Sequence, residues 1–109
     1  TDAQAAGRVL ADMAEHGVAP QASTFTTLMN LHAEAEDPAA AGRVMGRMEE
    51  AGLKPGVVAF NVLLKAHRRD FPACWGVARA MAARGVAPNV ATYNALLKPA
   101  AGARVRQVW

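Results

Sequence analysis

Three Gly-x-x-Pro segments recur along this chain at a nearly fixed interval. They are Gly17-Val18-Ala19-Pro20, Gly52-Leu53-Lys54-Pro55 and Gly85-Val86-Ala87-Pro88, and their prolines stand 35 and then 33 residues apart. An aromatic follows each proline by five residues, as Phe25, Phe60 and Tyr93. The stretch Ala5-Ala6-Gly7-Arg8-Val9 returns unchanged as Ala40-Ala41-Gly42-Arg43-Val44. Self-similarity at this period means one supersecondary unit stacked on copies of itself, with any function on the surface the units share.

Each unit reads as two helices. Phe60, Leu63, Leu64 and His67 fall at i, i+3, i+4 and i+7, one stripe of a helix, and Phe25, Leu28, Met29 and His32 repeat it one unit earlier. Tyr93, Leu96 and Leu97 begin it again. A second helix is expected to start near Asp37-Pro38 and near Phe71-Pro72, as an N-cap followed by an early proline. It should end at Gly52 or Gly85, where glycine takes the left-handed C-terminal conformation and a proline follows. Residues 1–21 then supply a second helix only, 22–56 a full unit, 57–89 a full unit two residues short, and 90–98 a first helix. From Pro99 the pattern breaks, so the last helix is expected to be truncated or bent there, with 99–109 a basic C-terminal tail. The expected fold is an all-α, right-handed solenoid of helical hairpins. Phe25, Phe60 and Tyr93 should be buried at equivalent places, with Met13, Met48 and Met81 likewise in register.

Composition narrows the function. The net charge of +3 divides into −4 over residues 1–56 and +7 over residues 57–109, which points to an anionic partner at the C-terminal end. A lone cysteine, Cys74, excludes an internal disulfide framework. No apolar run is long enough to span a membrane. The chain starts at Thr1 rather than a methionine, as a processed or partial chain would, with any targeting peptide out of view. Paired carboxylates, a phosphate-binding glycine loop, a nucleophile triad and metal-ligand spacing are all missing from the sequence, so no enzyme, cofactor, metal or small-molecule substrate is expected.

Pro88-Asn89-Val90-Ala91-Thr92-Tyr93-Asn94-Ala95-Leu96-Leu97, Pro55-Gly56-Val57-Val58-Ala59-Phe60-Asn61-Val62-Leu63-Leu64 and the helix end Met48-Glu49-Glu50-Ala51-Gly52 resemble pentatricopeptide repeats. The Trp and Leu-Gly signature of the related tetratricopeptide repeat is missing from the first helix. The resemblance implies an organellar protein, of mitochondrion or plastid, that binds single-stranded RNA with one base per repeat in a groove lined by first helices. It also implies base-reading residues, one after the aromatic and its partner after the closing proline. Those are Asn61 with Asn89 in the second full unit, a pyrimidine combination, and Thr26 with Gly56 in the first. Glycine has no side chain to hydrogen-bond, so the first unit departs from the pattern. Asn94 is the third candidate, its partner falling outside this sequence. The base-sandwiching position is Val58, with Ser23 and Ala91 in the other units.

Helical spacing puts Asn61, Lys65 and Arg68 on one stripe with Arg69 beside it, and Lys98 continues the pattern after Asn94, which makes these cations the phosphate candidates. The first unit has Thr26, Asn30 and Ala33 instead, with Glu34 where Arg69 would be, a carboxylate that would repel phosphate. His32 and His67 read as packed residues rather than metal ligands, and Cys74, at the place of Ala6 and Ala41, as a small core residue. Trp75 replaces Gly7 and Gly42 at an expected tight helical approach, so either the stack opens there or the indole turns outward to a partner. Trp75, Arg104, Arg106 and Trp109 are thus the protein-contact candidates. Two roles remain: a single-stranded RNA-binding module, or a scaffold subunit of a large organellar assembly, such as a mitochondrial or plastid ribosome or a membrane energy-converting complex.

Overall fold

A computed structural model describes the backbone of residues 2–108 and the side chains of residues 4–99. Six helices follow one another, α1 (Asp2–Glu15), α2 (Ala22–Glu34), α3 (Pro38–Glu50), α4 (Val57–Ala66), α5 (Phe71–Ala83) and α6 (Val90–Val108). There is no strand among the described residues. Helix α4 packs on both α2 and α6, while α1, α3 and α5 lie against these three from the second layer. The result is an all-α solenoid, elongated to 56 × 32 × 19 Å.

Local chemistry sets the helix ends. Asp37 Oδ1 accepts the backbone N–H of Ala40 at 3.1 Å, and Pro38 occupies the first helical position, where a missing N–H costs nothing. In the next unit the cap is Asp70, whose Oδ1 accepts from Ala73 N at 3.2 Å, so α5 starts one residue before Pro72. At the other end Gly52 has φ +83°, with Leu53 N–H donating to Met48 O at 3.1 Å and Gly52 N–H to Glu49 O at 2.9 Å. This pair of bonds is the Schellman closure, and only glycine takes that φ without penalty. Glu36 closes α2 in the same way at φ +55°, with Asp37 N–H on His32 O at 2.9 Å. The second full unit loses its two residues at the end of its first helix, since α4 is three residues shorter than α2 (10 against 13) and the connection after it is one residue longer.

Phe25, Met29, Met48, Phe60 and Met81 form the main core, none more than 4% exposed. Three expectations need correction. Tyr93, at the repeat position of Phe25 and Phe60, is 57% exposed, because no second-layer helix beyond α5 lies against α6 among the described residues. Met13 is only half-buried for the corresponding reason, since α1 packs on α2 alone. Helix α6 does not stop at Lys98 but runs through Pro99 to Val108. Proline's fixed φ fits a helix, so the main loss is one N–H bond and some crowding of the preceding turn. The side chains of Arg104, Arg106 and Trp109 lie outside the described residues.

The expected tight approach at the glycines is also absent. A Cβ placed on Gly7, Gly42 or Gly76 would meet nothing within 4 Å, so this face of the second helices is open. Trp75 therefore turns outward without spreading the stack. It is 51% exposed and leans on Phe71 with ring centroids 6.0 Å apart. Cys74 is fully buried, its Sγ–H directed at His67 O at 3.1 Å, and burial pushes its thiol pKa up, with the nearby Asp70 carboxylate adding to the shift.

Candidate nucleic-acid interface

Between α4 and α6 lies an open groove of ≈ 660 Å³, lined by Val58, Asn61, Lys65, Asn89, Asn94 and Lys98 among others. The helix geometry explains the gathering. Asn61 and Lys65 project from successive turns of α4, with Arg68 in the turn that follows it, and Asn94 and Lys98 from successive turns of α6. Asn89 stands at the start of α6, pointed back at Asn61 across 28 residues of sequence, and Asn61 Nδ2–H donates to Asn89 Oδ1 at 3.0 Å. Val58 is 61% exposed at the groove wall, an apolar surface within reach of a ligand's flat face.

A residue that the sequence pattern did not single out completes this cluster. Thr92 is 1% exposed, and its hydroxyl lies 2.6 Å from Asn61 Oδ1 and 3.0 Å from Asn89 Oδ1. Asn89 and Thr92 also cap α6 reciprocally, with Thr92 N–H on Asn89 Oδ1 at 3.0 Å and Asn89 N–H on Thr92 Oγ1 at 3.1 Å. The signal for it is an Asn followed three residues later by Thr at a helix start, the pattern of a capping box.

The other candidate pair does not assemble. Thr26 turns its hydroxyl onto its own helix, at 3.1 Å from Ser23 O and 3.2 Å from Ala22 O, and no hydrogen bond joins it to Gly56. Threonine commonly bonds in this way to the preceding turn.

The phosphate candidates are tied to the preceding repeat. Lys65 Nζ pairs with Glu34 and donates to Asn30 Oδ1 at 3.1 Å. Arg69 pairs with Glu36. Arg68 Nη1 donates to Ala33 O and to Lys65 O, both at 3.0 Å, which binds the C-terminal ends of α2 and α4 together, and its Nη2 stands 3.8 Å from Glu36. Glu34 is thus paired with Lys65 of the next repeat. The hydrogen bond from Lys65 and then its charge hold the Glu34 carboxyl below the usual carboxylate range, against an opposing effect of burial that outweighs the lesser contribution of Arg68. Lys98 is the exposed candidate without a carboxylate partner among the described residues.

No group of three or more His, Cys, Asp or Glu side chains able to hold a metal occurs among the described residues, and none of their helices is long and apolar enough to cross a membrane.

Known proteins share the repeat and the fold. Residues 4–69 and 74–107 match the pentatricopeptide repeat domain. The fold is similar to the crystal structure of the pentatricopeptide repeat protein PPR10 in complex with an 18-nt psaJ RNA element, with a TM-score of 0.78 and 25% identity over 96% of this chain. A triple cysteine-to-serine variant of PPR10 with the same RNA element matches equally, at TM-score 0.78 and 25% identity. The chain spans 16% of the length of PPR10. No curated protein sequence matches it significantly. With repeats in register along the chain and a match covering most of its length, this chain belongs to the pentatricopeptide repeat family.

Proposed function

We propose that the chain is a non-catalytic module that binds single-stranded RNA, with a pyrimidine base seated in the α4–α6 groove. The observation that carries this reading is the Asn61–Asn89 pair, brought together across 28 residues of sequence at the mouth of an open groove. Asn61 and Asn89 read the base edge, Val58 covers one face of the base, and Lys98 meets the backbone. Asn94 serves the neighbouring nucleotide. Thr26 and Gly56 offer no comparable pair, so reading is concentrated in the second full unit. PPR10 was crystallised with RNA, which supports the same ligand class here. Family membership supports an organellar setting, mitochondrion or plastid.

Fluorescence anisotropy with short labelled single-stranded RNAs tests the reading. The double variant Asn61→Ala, Asn89→Ala should weaken binding of a pyrimidine-containing RNA by about tenfold, the factor carried by one hydrogen bond of typical net strength. Lys98→Ala should weaken all RNAs alike and reduce the salt slope by about 0.7, the contribution of one phosphate on a single strand. Binding that is indifferent to both changes would reject the groove.

The scaffold role rests on another face. Trp75, Tyr93 and Leu96 border an apolar groove of ≈ 290 Å³ between α5 and α6, and Trp75 and Tyr93 are each more than half exposed. Aromatic surface of this kind is typical of protein contacts. Partners captured with the wild-type chain that survive ribonuclease and are lost with Trp75→Ala would establish this role; partners that vanish with the RNA would remove it.

A further inference from the structure

We infer that Thr92 is a positioning residue that fixes the amide orientation of both Asn61 and Asn89, and so decides which hydrogen-bonding edge the pair presents to a base. The inference rests on the RNA reading above but draws on a separate observation, the buried hydroxyl beneath the two asparagines.

The chain of constraints begins with a group that cannot reverse its role. The backbone N–H of Thr92 can only donate, and the Asn89 atom it meets at 3.0 Å must therefore be Oδ1. Asn89 Nδ2 is directed elsewhere and has no partner among the described residues. Because Asn89 presents Oδ1 to Asn61, the Asn61 atom facing it at 3.0 Å must be the donor Nδ2. That leaves Asn61 Oδ1 against the Thr92 hydroxyl, which donates its single proton there at 2.6 Å while accepting from Asn89 N–H at 3.1 Å. Flipping either amide would break this pattern, setting donor against donor at the Thr92 N–H or acceptor against acceptor between the asparagines. Thr92 is 1% exposed, so water cannot readily replace the contacts it makes.

What remains free is mostly donor. Both N–H bonds of Asn89 Nδ2 and the second N–H of Asn61 Nδ2 are uncommitted, against one open lone pair on Asn61 Oδ1. A base edge rich in acceptors, such as O2 and N3 of cytosine, or the two carbonyls of uracil beside the one open lone pair for its N3–H, fits this face. Without the hydroxyl, Asn61 keeps only its bond to Asn89 Oδ1, so its amide is held at one end instead of two, and the polarity of the edge it presents is less sharply fixed. The preceding repeat provides a natural contrast: where Gly56 replaces the second asparagine, Ala59 stands at the place of Thr92, and both parts of the device are missing together.

The test uses Thr92→Val, which keeps the shape and removes the hydroxyl, and Thr92→Ser, which restores it. Two properties are measured: the affinity ratio for single-stranded RNAs differing by pyrimidine or purine at one position, and the hydrogen exchange of the Asn61 and Asn89 side-chain amides by NMR. Thr92→Val should lower the pyrimidine-to-purine ratio by about tenfold while leaving the affinity for the purine RNA nearly unchanged. Thr92→Ser should recover the ratio. A valine variant that still discriminates, or a folded serine variant that does not, overturns the proposal. If the wild-type chain binds no single-stranded RNA, the RNA reading fails and the amide spectrum judges the lock by itself. Slow exchange of the Asn61 amide in wild type and Thr92→Ser, lost in Thr92→Val, supports it; equal exchange in all three overturns it.

Discussion

Lys65 of α4 reaches back one repeat to Glu34 of α2, and Asn30, which holds the position of Lys65 in that earlier repeat, accepts its second hydrogen bond at 3.1 Å. Arg69 makes the equivalent reach to Glu36. The basic second half of the chain is thus partly neutralised by the acidic first half, at the seam where a nucleic-acid strand following the first helices would cross. Exposed pairs of this kind add little stability, but they would compete with any phosphate for the same cations.

Releasing those cations should strengthen RNA binding. In the double variant Glu34→Gln, Glu36→Gln, Lys65 and Arg69 lose their carboxylates while the helices keep their length and caps. Single-stranded RNA affinity at low salt should rise, and the slope of log affinity against log salt should steepen by about 0.7 for each phosphate newly engaged, up to two. Anisotropy titrations at several salt concentrations measure both. An unchanged slope would mean that the RNA path avoids this seam.

The same pair sets a pH dependence of stability. The Glu34 carboxyl is held below its ordinary value of 4.5, first by the hydrogen bond from Lys65 and then by its charge. A depressed carboxylate contributes stability that is present above its unfolded value and lost as pH falls through its folded value. Thermal midpoints of wild type and Glu34→Gln should therefore differ by a small, constant amount at neutral pH and converge as pH falls from about 6 to about 3. The difference should also shrink in high salt, since both partners are substantially exposed. A gap that widens in acid would contradict the pairing.

Periodicity made the helix stripes, the glycine closures and the buried Phe25, Phe60, Met48 and Met81 legible, because each depends on neighbours within one repeat or the next. Tyr93 was not legible in the same way. Its burial depends on a helix lying across α6, which no spacing within the motif can reveal. The turn at Glu36 was hidden because its φ of +55° belongs to a residue that rarely adopts it. For the site, the family resemblance paired Asn61 with Asn89, whereas the stripe of cations concealed that Lys65 and Arg69 already had partners 31 and 33 residues upstream. Such pairings depend on how far one helix is rotated against the next, and sequence spacing alone does not contain that rotation. For Thr92 the sequence holds the local half, Asn89 and Thr92 at capping spacing, but not its contact with Asn61, which joins two helices.

Phe60 and Tyr93 provide a direct measure of what the end of the stack does, since they share one repeat position and have opposite surroundings. Phe60 is 2% exposed, inside the main core, with the Arg84 guanidinium 5.7 Å from its ring centroid. Arg84 is itself held by Glu49 at 3.0 Å, so the aromatic is covered by a paired cation from the second layer. Truncation to alanine removes a buried ring and leaves a cavity, which should cost about 3–5 kcal/mol. Tyr93 is 57% exposed, and Tyr93→Ala should cost roughly 1 kcal/mol or less, as surface substitutions away from special features do. Urea denaturation of the two variants beside wild type gives the comparison. Losses of similar size would mean that Tyr93 is covered in solution, and would move the end of the core from α5 onto the outer face of α6.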